Sequence, residues 1–224
     1  MQPTIYLDNS ATTKVRQEVI EAMNPYLGEF WGNPSSIHQL GRQSRAAVES
    51  ARQQIANLVG ASAEEIFFTP CATYSNNAAI LGRAQIGEAR GWGRHIITTG
   101  IEHSSGLGPV KQLQACGWRV TILGINNDGI VDIEELKRAV EYDTSIISVM
   151  WANNEIGSVQ PIEEIASFAR ARGIFFHTDA VQAAGRLPIN LRNVQADTLS
   201  LSGHKFYGPK GIGVLYIRKG VEVR

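Results

Sequence analysis

Five stretches of this sequence place ionisable or nucleophilic side chains directly after short apolar runs. They are Cys71-Ala72-Thr73, Glu102-His103-Ser104-Ser105, Asn153-Asn154-Glu155, Asp179 with Gln182, and Ser202-Gly203-His204-Lys205. The apolar runs read as strands, and in open α/β sheets ligands bind beyond the carboxyl ends of strands. Five polar exits therefore point to one site along one edge of a sheet. Thr73 and Ser75 stand where a helix begins, and free N–H groups with a positive dipole end suit a phosphate. Asp179 closes an apolar strand, where an unpaired carboxylate is costly, so it calls for a cationic partner. Lys205 follows Ser-Gly-His and precedes an aromatic, glycine-rich turn. A partly desolvated lysine there loses its proton and serves as an imine-forming amine. His103 is planar and of a type that titrates near neutral pH.

Phosphate site, buried carboxylate, planar imidazole and lysine amine together describe a pocket for pyridoxal phosphate. Lys205 is then the Schiff-base lysine, Asp179 keeps the pyridinium nitrogen protonated, and the cofactor is the electron sink. Metal binding is not expected, because His38, His95 and His177 show no ligand spacing and read as structural. Gly203 through Gly213 is not a nucleotide-binding P-loop, since Gly-x-x-x-x-Gly-Lys-Ser/Thr is absent. Asp8 reads as a local turn acceptor.

The elements that must position these residues follow from periodicity. A modest helix is expected over about 16–27 and a strong one over 41–59, where Ala47, Ala51, Ile55, Leu58 and Val59 recur at spacings of three and four and Gly60 supplies the stop. Strands are expected at 66–69, 95–99, 118–123, 145–150, 173–177, 198–201 and 213–217. Helices fall at about 73–88 and at about 104–115, the latter interrupted by glycines. Asp132 and Glu135 form a capping box for the next helix. Pro161 takes the first position of another, which Gly173 ends. Seven strands alternating with helices imply right-handed crossovers and a mainly parallel sheet covered on both faces, a three-layer α/β/α domain. The short glycine- and proline-rich link between the last two strands predicts an antiparallel return.

Composition narrows the class. The chain has 224 residues, 43% hydrophobic and 19% charged, with 21 basic against 21 acidic side chains. That suits a packed globular domain rather than a disordered segment, and no net-basic surface suggests nucleic acid as a partner. Two cysteines, Cys71 and Cys116, fit a reducing cytoplasmic compartment. Apolar stretches such as 149–152 are far short of the roughly 20 residues of a membrane span. Met1-Gln2-Pro3-Thr4 shows no signal-peptide pattern.

The residues that carry this chemistry also carry a resemblance. Tyr6-Leu7-Asp8-Asn9-Ser10-Ala11-Thr12-Thr13, Gly32-Asn33-Pro34-Ser35-Ser36, Glu102-His103, Asn153-Asn154-Glu155-Ile156-Gly157, His177-Thr178-Asp179-Ala180-Val181-Gln182 and Ser200-Leu201-Ser202-Gly203-His204-Lys205-Phe206-Tyr207-Gly208-Pro209-Lys210-Gly211 resemble cysteine desulfurases of the NifS/IscS type, within the class-V aminotransferases. The resemblance implies an aspartate aminotransferase-like, fold-type I pyridoxal phosphate enzyme with a seven-stranded large domain. It implies Lys205, His103 and Asp179 as catalytic residues. Asn154 and Gln182 are matched to contacts at the ring hydroxyl region, and Ala72, Thr73, Ser202 and His204 to the phosphate cradle. The implied reaction converts L-cysteine to L-alanine and leaves a persulfide for iron–sulfur cluster or other sulfur-compound assembly. The implied partners are a second copy of the chain and a sulfur-acceptor or scaffold protein.

Residues 1–40 read as an N-terminal arm with a short helix and 41–224 as the cofactor-binding large domain. The family's small domain, persulfide cysteine and substrate-carboxylate arginine are expected to lie beyond residue 224. Cys71 stands where the family usually has glycine and is expected to be a small buried residue. Tyr74 replaces a usual glutamate and is expected to alter packing beside the pocket. Cys116 reads as structural. The pocket alone does not separate a desulfurase from a selenocysteine lyase, a cystine lyase or an aminotransferase, nor from a non-catalytic cofactor-binding fragment. Glu102-His103 and Asn153-Asn154-Glu155 favour the desulfurase.

Overall fold

The computed structural model describes residues 5–224, so Met1-Gln2-Pro3-Thr4 lies outside the described residues. The elements run α1 (Gln17–Gly28), α2 (Gln39–Val59), β1 (Ile66–Thr69), α3 (Ala72–Ala89), β2 (His95–Thr99), α4 (Ser104–Ala115), β3 (Arg119–Leu123), α5 (Ile133–Ala139), β4 (Thr144–Ser148), α6 (Ile162–Ala171), β5 (Phe175–Asp179), β6 (Thr198–Ser202) and β7 (Gly213–Ile217). The seven strands form one sheet in the order β1-β7-β6-β5-β4-β2-β3. The pairs from β6 through β3 are all parallel, and β7 is antiparallel to both β6 and β1. The expected antiparallel return is present.

Adjacent residues of the central strands enter opposite cores, as a sheet covered on both faces requires. Ile97, Ile147 and Phe176 join one apolar cluster with Ile165 and Leu199. Ile96, Ile146 and Phe175 join the other, with Ile80, Val110 and Trp118. The three layers of the expected α/β/α domain follow from this alternation. The chain reverses direction across the sheet between β2 and β4: β3 lies on one side of β2 and β4 on the other. Crevices beyond the carboxyl ends at such a reversal bind ligands.

Three local expectations are corrected. Helix α4 runs unbroken through Gly106 and Gly108, because the His103 side chain caps its first turn and the helix packs along α3. The reciprocal half of the box at Asp132 is missing. Asp132 accepts from the Glu134 N–H, but Glu135 turns to the Gly124 N–H at 3.5 Å. Pro161 is the N-cap of α6 rather than its first helical residue. The stops hold: Gly60 and Gly173 adopt φ of 72° and 66° just past α2 and α6.

Candidate active site

Each of the five polar exits delivers a side chain to one cleft of about 540 Å³, and all nine expected site residues line it: Ala72, Thr73, His103, Asn154, Asp179, Gln182, Ser202, His204 and Lys205. The N-terminal arm supplies a further wall through Asp8, Ser10 and Ala11. The arm is tied down by its carbonyls: Gln182 Nε2 donates to Ser10 at 2.9 Å and Arg186 donates to Asn9 at 3.1 Å. Lys205 Nζ donates to the carbonyls of Ser10 and Ala11, at 2.5 and 2.9 Å. Burial lowers the Lys205 pKa from the usual lysine value and Arg186 adds to this, while Asp8 and Asp179 oppose it. A free amine is thereby brought nearer to neutral pH.

The β1–α3 turn forms the anion end. The first helical hydrogen bond of α3 runs from the Ser75 N–H to the Cys71 carbonyl at 3.2 Å. The N–H groups of Ala72, Thr73 and Tyr74 therefore precede the ladder, as in any first turn. Ser75 was expected to offer a free N–H and does not. It is buried, and its hydroxyl pairs with Thr69 Oγ1 at 2.8 Å. Gly213 on β7 backs this turn. A Cβ there would stand 2.6 Å from the Cys71 carbonyl carbon and 2.9 Å from the Ala72 nitrogen. Cys71 itself is exposed at the N-cap, against the expectation of burial, because it stands between β1 and α3 at the mouth of the cleft. Tyr74 is 58% exposed and does not line the cleft. Cys116 is exposed at the end of α4.

Asp179, the last residue of β5, is buried, and among the described residues no cation forms an ion pair or hydrogen bond with its carboxylate. Oδ2 accepts from Asn76 Nδ2 at 2.7 Å and Oδ1 from the Val181 N–H at 3.0 Å. Burial raises its pKa. The two hydrogen bonds, then the positive charges of Lys205 and of His103 when its ring is protonated, pull it back. His103 Nδ1 accepts from the Ser105 N–H at 3.1 Å and faces the Ser105 hydroxyl at 2.7 Å. Its proton therefore sits on Nε2. Behind it, Glu102 is fully buried and its pKa is pushed up to about 8, chiefly by burial. Its Oε1 accepts from Thr99 Oγ1 and from the Met150 N–H. Asn154 donates to Glu155 at 2.7 Å, and His204 Nδ1 pairs with Thr12 Oγ1 at 3.0 Å.

Sequence reasoning missed Asn76 and the full role of the arm. Asn76 sits inside α3, where no strand-exit rule points. His177, read as structural, is a buried neutral partner of that asparagine, with its pKa pushed down to about 3 by burial. Among the described residues, no cluster of three or more His, Cys, Asp or Glu side chains could hold a metal ion. No helix there is long and apolar enough to cross a membrane.

Comparison with known proteins places this architecture. The cysteine desulfurase IscS of Dictyoglomus turgidum is 49% identical over 223 residues, covering 100% of this chain and 56% of that protein. The mouse cysteine desulfurase is 48% identical over 98% of this chain and 48% of its own length. The chain thus spans about half the length of the curated relatives it matches. A solved structure described as a NifS-like protein superposes with a TM-score of 0.95 at 42% identity, over 99% of this chain and 61% of that one. A second, described as SspA in complex with cysteine, gives 0.94 at 39% identity, over 99% and 64%. The family model for class-V aminotransferases matches residues 5–224, and the chain belongs to that family.

Proposed function

We propose that these 224 residues form the pyridoxal phosphate-binding part of a cysteine desulfurase, which takes sulfur from L-cysteine and leaves L-alanine. The observation that carries this reading is the pairing of Asp179 and Lys205 in one cleft. Asp179 is a buried carboxylate with hydrogen-bond donors but no paired cation among the described residues, and Lys205 is an amine whose pKa is lowered. A protonated ring nitrogen supplies the missing cation. The open first turn of α3, with Ser202 and His204 beside it, supplies donors for a phosphate. The residues present fit the cofactor.

When bound, pyridoxal phosphate supplies an electron sink for negative charge at a substrate α-carbon. The chain's own residues then divide the work. Lys205 Nζ would tether the cofactor and could take up the substrate α-proton, and the Ser10 and Ala11 carbonyls would hold its ammonium form. Asp179 would hold a proton on the ring nitrogen. His103 would stand against the ring, with its Nε2 proton turned to the cleft. Asn154 and Gln182 would orient the ring's polar edge. Neither Cys71 nor Cys116 matches the position of the family's sulfur-accepting thiol. A homodimer, a sulfur-accepting or scaffold protein as partner, a cytoplasmic location and a role in iron–sulfur assembly belong to the same reading.

The test is the visible absorption of the purified chain with pyridoxal phosphate, before and after Lys205→Ala. A band that disappears in the variant supports the assignment, and identical spectra refute it. For the complete enzyme, alanine as the product of cysteine supports desulfuration, whereas pyruvate points to a lyase of the same family.

A further inference from the structure

The cleft residues rest on a buried polar chain whose hydrogen bonds all run one way. Thr198 Oγ1 pairs with His177 Nδ1 at 2.9 Å, and His177 Nε2 with Asn76 Oδ1 at 3.0 Å. Asn76 Nδ2 then donates to both Asp179 Oδ2 at 2.7 Å and Ser105 Oγ at 2.9 Å. Asn76, His177 and Thr198 are almost completely buried, and Ser105 and Asp179 nearly so. Asn76, His177 and Thr198 are shut off from solvent, so their polar atoms are satisfied within the chain.

That requirement fixes every proton. An amide oxygen only accepts, so His177 must carry its proton on Nε2. Its Nδ1 is then an acceptor, and the Thr198 hydroxyl must donate to it. With its oxygen committed to His177, Asn76 turns both N–H bonds to Asp179 and Ser105. The opposite orientation would set the amide oxygen against the Asp179 carboxylate. The Ser105 hydroxyl, accepting from Asn76, is left to donate to His103 Nδ1 at 2.7 Å.

We propose that Asn76 is a positioning residue for the reaction and that His177, acting through it, is a second. Held by His177 and Thr198, the Asn76 amide keeps a donor on Asp179 and so keeps that carboxylate charged toward the cofactor's ring nitrogen. This deepens the cofactor assignment above and rests on it for its consequence, but not for its geometry. Asp179 needs such a donor because burial works against its charge, and the Asn76 bond works for it. The titratable groups facing Asp179 are Glu102 and His103 from the β2–α4 turn and Lys205 beyond β6. None of these makes a hydrogen bond to it.

The experiment reads Asp179 directly in the cofactor-free chain, by carbon-13 NMR titration of aspartate carboxyls, with the resonance assigned through Asp179→Asn. Asn76→Leu is expected to raise the Asp179 midpoint by about one pH unit or more. His177→Leu is expected to act in the same direction. His177→Gln, whose amide N–H can replace the Nε2 donor, is expected to restore the wild-type value. Ser105→Ala removes the other branch and leaves Asp179 unmoved. An unchanged midpoint in a folded His177→Leu chain, or no recovery with glutamine, overturns the proposal even if the Asn76 variant fails to fold. A parallel titration with pyridoxal phosphate is expected to show binding weakened about tenfold in His177→Leu, which is the same shift expressed as affinity. A shifted Asp179 midpoint with no cofactor binding by the wild-type chain refutes the cofactor assignment and leaves the relay standing.

Discussion

Thr13 and His204 are joined twice: the Thr13 N–H and its hydroxyl both donate to the His204 carbonyl, at 2.8 and 2.9 Å. The same hydroxyl accepts from the Tyr207 N–H at 2.7 Å. One threonine of the arm thus clasps both ends of the turn that carries Lys205. Tyr207 has φ of 68°, so that turn stands in a conformation L-residues disfavour and depends on its clasp. Thr13→Val keeps the shape and removes the hydroxyl. We expect a loss of about 1–3 kcal/mol in urea denaturation, since a half-buried N–H and a carbonyl lose a partner. A change below a few tenths would show that the clasp does not stabilise the fold.

Glu102 gives a pH signature. Its folded pKa of about 8 lies above the unfolded carboxylate value of 4.5. Between those values the folded chain holds a proton that the unfolded chain has lost, so stability falls as pH rises from about 4.5 to about 8 and levels off above that. Glu102→Gln keeps an acceptor for Thr99 and Met150 and has no such titration. The expected result is a difference in unfolding free energy between variant and wild type that grows in the variant's favour from pH 5 to pH 8.5. His177 pulls the other way in acid but cancels in that difference. A difference curve flat in pH would contradict the assignment of a neutral buried Glu102.

Gly213→Ala tests the seat of the anion site. The added Cβ meets backbone at Cys71 and Ala72 at distances too short to keep, so the first turn of α3 must shift. Overpacking of this kind costs about 1–3 kcal/mol. We expect a lower thermal midpoint together with weaker binding of pyridoxal phosphate in an absorbance titration. Wild-type affinity in the alanine variant would place the phosphate elsewhere.

Both thiols are exposed, but only Cys71 lines the cleft. Alkylation by iodoacetamide, followed by peptide mass spectrometry, should modify both in the cofactor-free chain. Added pyridoxal phosphate should slow the reaction at Cys71 and leave Cys116 unchanged. Equal rates at Cys71 with and without cofactor would separate the thiol from the binding site.

The parts of this site visible in the sequence are those carried by strand exits. Asp179 and Lys205 stand out because apolar runs end in ionisable side chains, and one rule of sheet topology brings such ends together. Asn76 is invisible to that rule, being one polar residue among many in a helix; only folding brings it against residues 105, 177 and 179. The arm is hidden for a related reason. Asp8 was legible as a turn acceptor, and it does accept from Ala11. Nothing local shows that the Ser10 and Ala11 carbonyls meet a lysine nearly 200 positions away. Capping failed where a competitor existed: Glu135 had the Gly124 N–H within reach. The burial expected of Cys71 came from residue type alone and lost to its place at a helix start.

Among the described residues β7 is the one strand neighbour of β1, in a pairing that joins Ile66 to Tyr216. During synthesis, β1 and the turn that follows it must wait until residues 213–217 have emerged before gaining that support. The anion turn is therefore set later than the parallel strands of this sheet, because its backing, Gly213, emerges after all of them. Contacts so distant along the chain are slow to form. Chains stopped before residue 213 should retain much of the parallel sheet and lack a finished cofactor seat, so that cofactor capture reports that the fold has closed.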